Sequence, residues 1–113
     1  CYRVLKLGGT LILSTPFILG IHEAPYDHFR FTKYGLKVLL EKFSNIYISS
    51  RNGYFEAVIV LLMRFWFSAT KINKIFGIFL ILLATPFGFI AKFLDFLFKT
   101  DNLTTGYYTK AIK

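Results

Sequence analysis

Residues Tyr2–Phe17 read YRVLKLGGTLILSTPF, and the local order within this stretch decides the fold. Cys1–Lys6 has the pattern of a helix ending. Lys6 suits the negative end of the helix dipole, and Gly8-Gly9 supplies the stop. Thr10–Thr15 (TLILST) follows as a short apolar run rich in Leu, Ile and Thr, bounded by Gly and by Pro16. Such a run predicts a buried strand. Helix, tight turn and strand in that order make an α/β unit.

Outward from this unit, Pro16–Phe31 is a loop rich in His, Pro, Asp and Arg. Thr32 stands at the N-cap position, where its hydroxyl can accept a bond from a free backbone N–H of the first helical turn. Leu36, Leu39, Leu40 and Phe43 then recur at i, i+3, i+4 and i+7, which predicts a helix over 33–43 with that stripe on the core. Asn45–Ser50 (NIYISS) and Leu103–Ile112 (LTTGYYTKAI) carry the β-branched and aromatic content of two further strands.

Between those strands lies a different composition. Ala57–Met63 is wholly apolar, Arg64 interrupts it, and Ile75–Ala91 runs 17 residues without a charge. At about 1.5 Å per residue that run reaches about 26 Å, short of the roughly 30 Å hydrocarbon core. Pro86 predicts a kink or a split near Thr85. Two half-embedded helices, hinged at Lys71–Lys74 and at Pro86, fit the lengths. Lys92–Lys99 (KFLDFLFK) places Lys92, Asp95 and Lys99 on one wet helical face, an interfacial amphipathic pattern.

The whole chain has 113 residues, 55% of them hydrophobic, with a formal charge of +8 and a mean hydropathy of +0.52. That composition excludes disorder, and a single Cys excludes a disulfide scaffold and gives no sign of an oxidising compartment. The length allows one domain at most. Residues 57–113 hold seven Lys/Arg against two acids, so the basic charge accompanies the greasy segments. This pairing predicts contact with an anionic membrane surface; the alternative cover for the apolar helices is the protein itself or a second copy forming a homodimer. Nucleic acid is not expected, because the aromatics sit inside apolar runs and not among the lysines and arginines.

YRVLKLGG followed by TLILSTPF resembles the C-terminal half of class I S-adenosylmethionine-dependent methyltransferases, in which a helix ending in a stretch like RVLKPGG feeds the fifth strand of a Rossmann-like sheet. His22-Glu23-Ala24-Pro25-Tyr26-Asp27-His28-Phe29-Arg30-Phe31-Thr32 resembles the H-x-x-P-x-D-x-x-R-[FY]-T signature of one bacterial branch, methyltransferase type 11, and GYYTKAIK resembles its closing strand. Leu7 departs from the usual Pro of the turn. The resemblance covers 1–56 and 101–113. It implies an α/β fold: two parallel strands joined by a right-handed crossover, an antiparallel last strand between them, and a hydrophobic helical hairpin inserted at 57–100.

The resemblance also implies methyl transfer to a small-molecule or lipid-linked acceptor, with a cytoplasmic location, peripheral on the inner face of the membrane. No G-x-G-x-G turn after a first strand occurs here, nor an acidic residue ending a second strand to hold a ribose. The cofactor half is therefore expected in sequence preceding Cys1, and the 113 residues alone are expected to bind no S-adenosylmethionine.

The loop 16–32 leaves the carboxyl end of a strand, where open α/β sheets place ligands. His22 is the candidate general base or substrate hydrogen-bond partner, since an imidazole titrates near neutrality. Asp27 and Arg30, three residues apart, can brace the loop as an ion pair, or Arg30 can hold an anionic substrate group. His28 reads as a surface or stacking residue. The spacing of His22, Glu23, Asp27 and His28 matches no zinc motif, so no metal is expected.

Overall fold

A computed structural model describes residues 1–21, 23–71, 73–100 and 102–113. The chain divides into two units, Cys1–Arg51 with Thr105–Lys113, and Asn52–Thr104.

The first unit is built on three strands, β1 (Thr10–Pro16), β2 (Ser44–Ser50) and β3 (Gly106–Ile112), with one helix, α1 (Lys33–Leu39). The strand order is β1-β3-β2. Both ladders are antiparallel: Thr10 faces Ile112 and Pro16 faces Gly106 on one side of β3, while Ile48 faces Thr109 and Ser50 faces Tyr107 on the other. No parallel ladder forms among the described residues. β1 and β2 point the same way only because each is antiparallel to β3 between them.

The strands are not buried on both faces, as the sequence suggests. β1 alternates exposed and half-buried residues, and Ile12 is 79% exposed on the open face. An antiparallel sheet tolerates one wet face. The covered face meets a core of Leu40, Phe43 and Ala111, with Leu5, Leu11 and Ile46 packed around it.

Thr32 caps α1 as expected, accepting from the Gly35 N–H at 3.1 Å. The helix is shorter than 33–43, because Glu41 N bonds Val38 O and Phe43 N bonds Leu40 O. These i→i−3 bonds tighten the last turn and aim the chain at β2. The stripe narrows too: Leu36, Leu40 and Phe43 are buried, whereas Leu39 faces solvent. Cys1–Lys6 closes one turn, with Val4 N and Leu5 N both bonded to Cys1 O. Two such bonds do not offset the cost of helix nucleation.

Leu103–Thr105 lies outside β3. The Thr104 hydroxyl instead donates to Asn52 Oδ1 at 3.0 Å, which ties together the two ends of the second unit. That unit holds α2 (Tyr54–Ala69) and α3 (Lys74–Leu97), packed on each other. Gly77, Ala84 and Ala91 are buried at seven-residue spacing. These small side chains let the backbones approach. A Cβ on Gly77 would land on Thr70.

α3 runs unbroken through Pro86, contrary to the split expected near Thr85. The proline removes the donor that Leu82 O would receive. The Thr85 hydroxyl donates to that same carbonyl at 2.7 Å, so the orphaned acceptor is satisfied within the helix. With 24 residues, α3 is about 36 Å long. It is thus long and apolar enough to cross a membrane, where the charge-free run alone was too short.

Asp95 was expected on a wet face with Lys92 and Lys99. It is half-buried, and its carboxylate accepts from Phe55 N at 2.9 Å and Glu56 N at 2.8 Å. The N-cap of α2 is Gly53, which has no side chain to offer, so α3 supplies the missing cap. A Cβ on Gly53 would collide with this carboxylate. Replacing Asp95 by Ala is expected to destabilise the helix pair by about 1–2 kcal/mol, the usual value of a cap with its helix-dipole contribution. Thermal unfolding followed by far-ultraviolet circular dichroism reads that loss, and an unchanged midpoint would refute the role.

Candidate functional site

The carboxyl end of β1 opens into a cleft of about 410 Å³. Strand alternation turns Ser14 to the open sheet face, and Pro16 ends the strand. From the following loop come Glu23, Tyr26, Asp27 and His28. The rim is aromatic: the His28 ring lies 6.4 Å from Tyr26 and 6.3 Å from Phe29, edge-on to both.

The Asp27–Arg30 ion pair forms. Arg30 Nη2 also donates to Gly20 O at 3.3 Å, so one guanidinium ties two ends of the loop. The Asp27 side chain is only 7% exposed and that of Arg30 26%. Such enclosure strengthens a charge-assisted bond. Arg30 Nη1 is enclosed and has no hydrogen-bond acceptor among the described residues.

Of the sequence-predicted site residues, Asp27 and Arg30 are brought together. His22 lies outside the described residues. His28 is an exposed surface residue, edge-on to its aromatic neighbours.

Sequence reasoning missed Ser14 and Arg51. Arg51, directly after β2, donates to the Ser14 hydroxyl at 2.6 Å and stacks over Tyr108, with its guanidinium carbon 5.3 Å from the ring centroid. The pleat of β1 turns Ser14 away from Leu11 and Leu13, onto the face of exposed Ile12. Nothing in the sequence brings Arg51 to it, because that neighbourhood follows from the β1-β3-β2 order.

The arrangement offers a hydroxyl, a phenol and a carboxylate (Ser14, Tyr26 and Glu23) around a small polar volume, on a loop braced by Asp27 and Arg30. It can orient a small molecule by hydrogen bonds. Among the described residues no group of three metal-ligating side chains gathers.

The residues present do not fit S-adenosylmethionine, the cofactor implied by the resemblance. The one glycine pair, Gly8-Gly9, spends its amides locally: Gly8 N donates to Lys113 O at 2.8 Å and Gly9 N to Lys6 O at 2.9 Å. Both amides are thus already engaged, and among the described residues no glycine-rich turn links a strand to a following helix. Comparison with protein-family models, with curated proteins and with solved structures gives no match.

Proposed function

We propose that the α/β unit is the acceptor-side portion of an S-adenosylmethionine-dependent methyltransferase that modifies a small or lipid-linked molecule. The observation that supports this reading is the strand order β1-β3-β2, with the last strand central and antiparallel, as the resemblance of the sequence implies. A polar cleft at the carboxyl end of β1 agrees with it. In this reading Ser14, Glu23 and Tyr26 orient the acceptor, while Asp27 and Arg30 hold the loop that carries them. Orientation of the reacting groups is the main demand that methyl transfer makes on a protein.

A second reading is a non-catalytic membrane-associated module with an α/β cap, peripheral on the cytoplasmic face. One observation favours it: α3 buries only 17% of its most apolar window, which leaves a large greasy surface to be covered.

The 113-residue chain is expected to show no micromolar binding of S-adenosylmethionine in isothermal titration calorimetry. Saturable binding there would overturn the division of labour. The coding sequence upstream of Cys1 decides between the two readings. A glycine-rich strand-turn-helix, in a product that transfers a labelled methyl group, supports the enzyme. A nearby start codon with no such motif leaves the membrane module.

A further inference from the structure

The outer surface of α3 is ordered in a way that membrane association alone does not require. Ile75, Phe79, Leu82, Phe89, Phe93 and Phe96 are all more than half exposed. At about 100° per residue they fall within an arc of about 100°, nearly opposite the buried Gly77, Ala84 and Ala91 that face α2. Phe76 and Phe87, also more than half exposed, extend the apolar surface to about 180° on the side away from the lysines. Lys74 and Lys92 are eighteen residues apart, about five helical turns, so they share one meridian on the flank of that arc. Lys99, just past the helix end, is exposed too, with its ammonium 6.0 Å from the Phe96 ring centroid.

We propose that α3 lies in the plane of an anionic lipid surface, with the phenylalanine-rich arc in the acyl region and Lys74, Lys92 and Lys99 among the headgroups. This rests on the membrane reading given above and goes further, because α3 is also long enough to cross. Crossing is disfavoured by its partner helix. With Lys71 and Lys74 at one interface, Arg64 would lie about 10 Å and Glu56 about 22 Å along α2 from Lys71, both inside a hydrocarbon core of about 30 Å. Charges at such depth are costly. Lying flat, α2 can carry both groups to the headgroup layer. The row of lysines matches anionic phosphates, and a second copy of this chain, also basic, offers no such complement.

The test uses the full chain with Cys1→Ser and, one at a time, Ile75→Cys, Leu82→Cys, Phe89→Cys and Phe96→Cys, each carrying a nitroxide. Flotation with mixed phosphatidylserine–phosphatidylcholine vesicles comes first. Depth is then read from the relative accessibility of each label to oxygen and to a water-soluble nickel chelate. The expected result is recovery with the anionic vesicles and the same depth at all four positions. Lys92→Gln is expected to weaken partitioning about fivefold, the usual value of one basic residue at such a surface. A profile deep at Leu82 and Phe89 and shallow at Ile75 and Phe96 would overturn the in-plane arrangement while leaving the membrane reading standing. No flotation, with a dimer in light scattering, would overturn both.

Discussion

Replacing Leu36 by Ala is expected to destabilise the α/β unit by about 2–5 kcal/mol, the range for deleting a fully buried leucine side chain. Leu36 is 0% exposed on the first full turn after the Thr32 cap. Three side-chain carbons would vanish from a site with no solvent to fill it. The loss combines the transfer free energy of those atoms with the cavity left behind. For a domain that is stable by about 5–15 kcal/mol, this is a fall in midpoint temperature of the order of 10 °C or more. Leu39→Ala is the control. Leu39 belongs to the same sequence stripe but faces solvent, so its truncation should stay within about 0.5 kcal/mol. Equal effects at the two positions would show that the register of α1 is wrong. Chemical denaturation followed by circular dichroism measures both.

Gly106→Ala is expected to destabilise the sheet by about 1–3 kcal/mol, although it adds a single methyl group. Gly106 opens the central strand and lies opposite Pro16. A Cβ built there lands on the Thr15 carbonyl oxygen, with Arg51 Cζ and Pro16 Cα each 3.3 Å away. A backbone oxygen in a sheet cannot swing aside as a side chain can. The strain therefore falls on the ends of both ladders, where Phe17 N bonds Thr105 O and Arg51 N bonds Gly106 O, each at 2.9 Å. Those bonds join Arg51 to Gly106 and the start of the loop to Thr105 just before it, so the mutation is also expected to disturb the Arg51–Ser14 contact at the cleft. Gly88→Ala in α3 gives the opposite sign. Nothing lies within 4 Å of its Cβ, and the higher helix propensity of Ala is worth up to about 1 kcal/mol. A neutral Gly106→Ala midpoint would mean that the β1–β3 register differs from the one described.

The two substitutions separate what local pattern carries from what it does not. The Thr32 cap, the strand at TLILST, the bracing pair Asp27–Arg30 and the break between the two greasy helices are all short-range features. Each depends on residues within a few positions of one another, and each was legible from spacing alone. Asp27 and Arg30 meet because a loop of three residues leaves them little choice.

Other features were hidden because their partners are distant in sequence. Asp95 reads as one more charge on a wet helical face until α2 brings the bare N-cap Gly53 to it across some forty residues. Pro86 reads as a helix breaker, since propensity counts the lost N–H but not the hydroxyl of Thr85 that replaces it. Arg51 reads as a loop residue until β3 sets the ends of β1 and β2 side by side.

The sequence by itself determined the element types from β1 onward, the Thr32 cap, the order of strand, loop and helix, and the split between a sheet-forming and a greasy basic portion, because these follow from composition and from periods of two and about 3.6 residues. Tertiary structure alone decided which sheet face stays open, that α3 continues past its proline, and which side chains meet Ser14 and Gly53. Those outcomes depend on long-range packing and on backbone donors finding acceptors far along the chain, which no local window of sequence contains.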